Sequence, residues 1–241
     1  MRDAFFTLHA DLAREGPGVP EDVAWAAGLA GVAPDARILD AGCGPGADIE
    51  ALLRAAPGAR VVAVDRHLPF VHAVNDVWGH HPRVTARHAD MSREEGPFDF
   101  IWIAGALYFL GIEDGLRQMR AKLAPGGAVA FSELIWLVAN PDPKLVAVLA
   151  AEYAQMAGRN RLRARIEAAG YDLLGQKVLS DAAWEAYYTP MEARIRRLRP
   201  GADPALTAVL DEGQAEIDLW RANRLSFGYA LTVVRPAGGG A

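Results

Sequence analysis

The chain has 241 residues, 51% of them hydrophobic and 23% charged, enough apolar material to bury a full core and therefore not a disordered chain. A formal net charge of −5 and a pI near 5.7 argue against a broad nucleic-acid or anionic-membrane surface, since both partners need a basic face. The single cysteine, Cys43, excludes an internal disulfide, the early charges do not suit a signal peptide, and no apolar run nears the about 18 residues of a membrane span. A cytoplasmic protein is expected.

Short β-rich runs alternate with helical patterns, the signature of parallel strands joined by helical crossovers. In chain order the strands read "ARILDAG" (36–42), "RVVAVD" (60–65), "RVTARHA" (83–89), "FDFIWIAG" (98–105) and "GAVAFSEL" (127–134). Between them, Ile49, Leu52, Leu53 and Ala56, then Phe70, Val74 and Val77, then Ile112, Leu116, Met119 and Leu123 keep helical spacing. Pro125 and Gly126 close the third of these helices. Beyond Leu137 the spacing predicts helices around Lys144 to Met156 and Asn160 to Ala169, then a strand in "YDLLGQKVLS". A helical insertion over about 181–225 follows, with Trp184, Tyr187, Tyr188, Met191, Ile195 and Leu198 in helical register and a second helix from about Pro204. "SFGYALTVVRP" is the last strand, and residues 236–241 form a flexible tail.

The stretch "ILDAGCGPG", Ile38 to Gly46, stands at a strand-to-helix junction, where backbone N–H groups are unpaired and glycines let a ligand approach the main chain. In open α/β sheets ligands lie beyond the carboxyl ends of the strands, where the strand order reverses. Gly42, Gly44 and Ala47 also satisfy the relaxed G-x-G-x-x-G/A spacing of dinucleotide enzymes, and Asp65 ends the next strand at the distance expected of a ribose-binding acid. Asp40, two residues before Gly42, and "HADM" at the end of the third strand are not required by that reading. They tip the balance away from hydride transfer.

Five motifs in order, "ILDAGCGPG", "VVAVDRH", "HADM", "FDFIWIAGALYFLG" and "LAPGGAVAFSE", resemble those of class I S-adenosylmethionine-dependent methyltransferases. The resemblance spans Glu21 to Glu133 and is greatest to the ubiquinone/menaquinone-methyltransferase-like branch of small-molecule enzymes. It implies a Rossmann-like, seven-stranded, mostly parallel α/β sheet with an antiparallel last strand, helices on both faces and a helical lid. The methyltransferase domain would run over 21–235, after an N-terminal segment over 1–20 that is itself a possible lid. The resemblance also implies S-adenosyl-L-methionine as cofactor. Gly42, Cys43, Gly44 and Gly46 would lend backbone to its methionine end, with Asp40 beside its amino group. Asp65 would take both ribose hydroxyls, with His67 adjacent. Asp90 would accept from the adenine amine, Met91 would face the ring, and Ala104 would lie under the sulfonium.

Methyl transfer is an in-line displacement that needs a held acceptor and little water, and a base helps where the acceptor must lose a proton. Tyr108 and Glu133 are the catalytic candidates. Trp136, Trp184, Tyr187, Tyr188 and His9 are the substrate-binding candidates, Phe5, Phe6 and His9 in "FFTLHA" being placed to close over the same mouth. The branch compared often has an acid in its fourth-strand motif, where this chain has Ile103 and Ala104, so a base from that strand is in doubt. Cys43 reads as a small buried filler. His72, His80, His81 and His88 lie on a helix end and a neighbouring strand and do not form a metal site. The runs "RNRLRAR" and "RIRRLRP" read as solvated helix faces rather than RNA contacts. A small-molecule methyltransferase is thus expected, ahead of a nicotinamide-dependent oxidoreductase, an RNA-directed methyltransferase, or a cofactor-binding protein without catalysis.

Overall fold

The computed structural model describes residues 2–151, 153 and 155–238. Parallel strands β1 (Arg37–Ala41), β2 (Arg60–Asp65), β3 (Val84–His88), β4 (Phe98–Ile103) and β5 (Leu123–Trp136) alternate with helices α3 (Ile49–Ala55), α4 (Leu68–Trp78) and α5 (Ile112–Arg120). They follow an N-terminal pair, α1 (Arg2–His9) and α2 (Pro20–Ala30). The chain continues through α6 (Pro143–Ala150), β6 (Ala157–Gly158), α7 (Arg159–Ala168), β7 (Tyr171–Val178), α8 (Asp181–Leu198), α9 (Pro204–Asn223) and β8 (Phe227–Pro236). The sheet order is β3-β2-β1-β4-β5-β8-β7, with β6 on the end of β5. Among the described strands β8 alone runs against the rest, antiparallel to both β5 and β7. This is the Rossmann-like α/β sheet expected, with a two-residue eighth strand added.

The order reverses between β1 and β4, so a crevice opens beyond their carboxyl ends. The central strands are apolar on both faces because both faces are covered. Ile38, Phe100, Trp102, Ala130, Leu134 and Tyr229 face one side, in the core shared with α2, α3, α8 and α9. Leu39, Ile101, Ile103, Phe131, Ile135 and Ala230 face the other, under α5 and α7. Among the described residues no helix is long and apolar enough to cross a membrane.

Three local expectations are corrected. Leu123, read as the end of a helix, instead opens β5 opposite Phe98, because the helix ends at Arg120 and the Lys122 carbonyl accepts from Phe98 N–H at 2.8 Å. The helix expected to reach Met156 stops near Ala150, because Ile135 and Trp136 project past β4 and pair with Ala157 and Gly158. Arg194 of "RIRRLRP" is buried rather than solvated: its guanidinium donates to the Thr7 carbonyl at 2.6 Å and pairs with Asp11. Of the expected tail, Pro236 belongs to β8, and residues 239–241 lie outside the described residues.

Helices α8 and α9 form the expected insertion between β7 and β8, joined by stacked Trp184 and Trp220 at 4.9 Å between ring centroids. Helix α1 packs on both, with Leu8 buried beside Gly213. Substituting Trp220→Ala removes the ring that joins α9 to α8. The expected loss is about 3–5 kcal/mol, a fall in Tm on the order of 10 °C for a chain of this size, read by differential scanning calorimetry.

Candidate active site

The loop after β1 is held from inside. Gly42 N–H and Cys43 N–H both donate to the Val64 carbonyl, at 2.9 and 3.0 Å, and Gly46 N–H donates to the Cys43 carbonyl at 3.0 Å. Gly44 N–H donates to Asp65 Oδ2 at 2.9 Å. The backbone donors expected to serve a ligand are therefore already committed, and what Gly42, Cys43, Gly44 and Gly46 offer is close approach. Gly42 has φ 73°, and a Cβ there would stand 2.6 Å from the Ala106 methyl. Gly46 has φ 89°, and a Cβ there would press at 3.0 Å on Ile49 and Val74. Side chains at these positions are resisted by both backbone conformation and space.

Asp65, at the tip of β2, accepts from Gly44 through one oxygen and from His67 N–H through the other at 2.7 Å. A carboxylate offers about four lone-pair positions, so both oxygens keep an acceptor site. Asp40 is buried, and its Oδ2 has no hydrogen-bond partner among the described residues. Burial, then the charges of Asp48 and Asp65, raise its carboxyl well above the usual range. Asp48, at the start of α3, accepts from Trp102 Nε1 at 2.9 Å and from Arg14 Nη2 at 3.3 Å. Burial also pushes the Cys43 thiol up, which makes it a poor nucleophile.

His67 stacks under Phe6 of α1, ring centroids 3.6 Å apart, and is edge-on to Phe70. Asp90 Oδ1 accepts from Ser92 N–H at 2.9 Å, which holds its pKa below the usual value, and Arg66 lies 3.8 Å from its Oδ2. Met91 is buried beside it. Ala104 ends β4, and the turn after it is fixed by Gly105 N–H donating to Ser132 Oγ at 2.8 Å. Asp40, Asp65, Asp90 and Ala104 thus lie at successive carboxyl ends of β1 to β4 and the turns that follow them.

Over the ends of β4, β5 and β8 the side chains are aromatic. Trp184 lies 5.3 Å from Tyr229 and 5.4 Å from Tyr188, Tyr187 lies 5.2 Å from Tyr188, and Tyr108 meets Tyr153 edge-on at 5.8 Å. Tyr188 donates to Glu216 at 2.9 Å. Burial, then the charges of Glu216 and Glu15 and the phenols Tyr153 and Tyr108, push the Tyr187 hydroxyl well up. Tyr229 feels burial, Tyr153, Tyr108, Glu133 and Glu216 in the same sense, and its hydroxyl comes within 4.0 Å of the space above Gly105. Trp136 lies farther out, 6.5 Å from Phe227. Tyr153, Tyr229, Glu216 and Glu15 carry no motif and were not singled out in the sequence; only strand alternation around "SFGYAL" could have placed Tyr229.

Glu133 alternates with Phe131 and Ile135 and so stands on the α7 side of β5, opposite the face that carries Tyr229. Its Oε2 is buried without a partner among the described residues, and burial raises its pKa to about 7 against the opposing charge of Arg165. His9, expected to bind substrate, is buried with Nδ1 2.6 Å from Glu15 Oε2. Among the described residues no group of three or more His, Cys, Asp or Glu is arranged to hold a metal. A cavity of about 790 Å³ between α1 and α4, lined by Phe6, Leu12, His67 and Phe70 among others, lies on the outer side of the loop and touches neither Asp40 nor Asp65.

The raised pKa of Glu133 makes a stability prediction. Burial pushes the folded carboxyl up to about 7 from the 4.5 of a free glutamate, so the native state binds the proton more tightly and loses stability as pH rises through that window. The loss is on the order of 2–3 kcal/mol. Glu133→Gln removes the titration, so the fall in Tm between pH 5 and pH 8 is expected to shrink; an unchanged fall means the carboxyl is not the group responsible.

The comparisons with known proteins agree with this geometry. Residues 38–127 match a family model described as a methyltransferase domain. A malonyl-[acyl-carrier protein] O-methyltransferase of Salmonella typhimurium is 33% identical over 100 residues, 41% of this chain and 39% of that protein. A trans-aconitate 2-methyltransferase of Variovorax paradoxus is 29% identical over 163 residues, 64% of this chain and 61% of that protein. The chain therefore spans about two fifths and three fifths of these relatives. An S-adenosylmethionine-dependent methyltransferase of Geobacter sulfurreducens, solved with S-adenosyl-L-homocysteine, superposes with a TM-score of 0.82 at 21% identity, over 98% of each chain. From β1 to the turn into β5 the chain matches the methyltransferase domain family, and as a whole it has the fold of the class I S-adenosylmethionine-dependent methyltransferases.

Proposed function

We propose that this chain transfers a methyl group from S-adenosylmethionine to a small-molecule acceptor. The observation that carries the reading is the charge and donor balance of the β1 loop: the N–H groups of Gly42, Cys43, Gly44 and Gly46 are committed, and carboxylates surround it. A nicotinamide dinucleotide brings a pyrophosphate, which needs free N–H donors at the loop and the following helix. Here Gly42, Cys43, Gly44 and Gly46 have none to give, and Asp48 already stands at the start of α3. A cofactor with a sulfonium, an ammonium and two ribose hydroxyls matches the same surroundings. The Asp40 oxygen without a partner calls for a donor or a cation, and the glycine surface accepts nothing bulkier than a flat approach.

In that reading Asp65 accepts from the ribose hydroxyls, Asp90 and the Met91 backbone meet the adenine edge, and Ala104 leaves room at the end of β4 for the reacting centre. The bound cofactor supplies an electrophilic methyl on a positively charged sulfur. Tyr187, Tyr229, Tyr108 and Trp184 orient the acceptor and exclude water, which is most of what an in-line displacement requires. The aromatic lining supports a small acceptor. Two of the four α7 arginines are engaged locally, Arg165 with Glu113 at 2.8 Å and Arg163 with Glu167 at 2.9 Å, which counts against an RNA acceptor. The quinone-branch likeness of the motifs finds no counterpart in the named relatives, so the acceptor is proposed only as a small molecule.

Calorimetric titration with S-adenosylhomocysteine and with NAD tests the reading. The first is expected to bind and to raise Tm by mass action; preferential binding of NAD overturns the proposal. Asp65→Ala, which removes two charge-assisted hydrogen bonds, is expected to weaken S-adenosylhomocysteine about a hundredfold while the fold is kept.

A further inference from the structure

Glu15 lies between α1 and α2, outside every motif, and its side chain rests on the glycine loop. Its Cγ stands 3.4 Å from the position a Cβ on Gly44 would take. Oε2 is held at 2.6 Å by Nδ1 of His9, a buried ring stacked on Phe5 at 4.1 Å. Oε1 is buried and has no hydrogen-bond partner among the described residues. The charged groups facing Glu15 are His9 from α1 and Asp65 from β2; its charge also reaches Tyr187 of α8. A second open carboxylate oxygen, Oδ2 of Asp40, belongs to the strand that leads into the same loop.

Burying an acceptor without a donor is costly; a proton relieves the cost in the free protein, where burial raises the Glu15 carboxyl, and a ligand that brings positive charge and N–H groups relieves it in the bound one. A phosphate or carboxylate would be repelled by the same atoms. Among the groups of the cofactor proposed above, the ribose hydroxyls belong to Asp65 and the adenine amine to Asp90. The sulfonium carries no N–H. The group that is both cationic and a triple donor is the α-ammonium of the methionine arm.

We propose that Glu15 is a cofactor-binding residue, carried by the N-terminal strap over Gly44 so that its open oxygen takes the α-ammonium of the methionine arm. His9 is then a positioning residue, which fixes the Glu15 rotamer by holding its outer oxygen. The strap is anchored on both sides of the loop: Arg14 bonds Asp48, Phe6 stacks on His67, and Arg194 of α8 holds the Thr7 carbonyl. The place of Glu15 over Gly44 therefore depends on these three contacts of the strap. The inference rests on the methyltransferase reading.

The test separates the arm from the nucleoside. S-adenosylhomocysteine carries the ammonium; 5′-methylthioadenosine keeps adenosine and sulfur but lacks the whole amino-acid arm. Both are titrated calorimetrically into wild type, Glu15→Gln and His9→Phe. For Glu15→Gln, S-adenosylhomocysteine is expected to bind about ten- to a hundredfold more weakly, with 5′-methylthioadenosine unchanged within about twofold. Retained binding of the nucleoside shows that the variant is folded, and His9→Phe, which keeps a ring on Phe5 but releases Oε2, is expected to show a smaller loss confined to the same ligand. Equal weakening of both ligands, or no weakening of either, overturns the assignment. Tighter binding of S-adenosylhomocysteine to Glu15→Gln also overturns it, because the arm's carboxylate would then face Glu15. If wild type binds neither ligand, the methyltransferase reading itself falls.

Discussion

Asp65 holds the glycine loop. Its two oxygens accept from Gly44 and His67, one donor from each side of the crevice, while the Val64 carbonyl one residue earlier takes the N–H groups of Gly42 and Cys43. The tip of β2 thereby fixes the path of the chain leaving β1, and with it the positions of Asp40, Asp48 and the start of α3. A loop with three glycines at positive φ would otherwise be the most mobile part of the sheet's edge. Fixing it from the neighbouring strand leaves side-chain-poor surface that stays put.

The electrostatics follow from that arrangement. Asp40, Asp48, Asp65 and Glu15 gather around one short loop, and only Asp48 and Glu15 have basic partners close by, Arg14 and His9. Burial raises the carboxyls of Asp40 and Glu15, which is the signature of charge kept from water before its counter-charge arrives. Such a site sacrifices stability in the free protein and favours a cation over an anion. The same physics, on the far side of the sheet, leaves Glu133 near neutrality with a proton to accept or release.

The lid is a joint product of both ends of the chain. Helices α8 and α9 bring Trp184, Tyr187, Tyr188 and Trp220 over the ends of β5 and β8, and α1 packs across the two of them. Arg194 connects these layers by reaching from α8 to the main chain of α1. The proposed acceptor space and the proposed cofactor cradle meet at Tyr187, which feels the charges of Glu216 and Glu15 together. A change in the strap is felt in both.

Local pattern was enough for much of this. Apolar runs punctuated by glycine and acid define β1 to β4 because a parallel strand buried on both faces has few other ways to be written, and the spacing of Asp40, Gly42, Gly44, Asp65 and Asp90 follows from their places at successive strand tips. Helical periodicity likewise announced α3, α8 and α9. What local pattern could not determine depends on which distant segments meet. Leu123 reads as helix until Phe98 recruits it into a strand, and Arg194 reads as solvent-facing until Thr7 and Asp11 fold over it. Glu133 reads as a wall of the acceptor space until strand alternation turns it toward α7. Glu15 has no periodicity, no motif and no neighbour in sequence that marks it; its place over Gly44 exists only because α1 is gripped by α8, an encounter between residues far apart in the chain that tertiary packing alone decides.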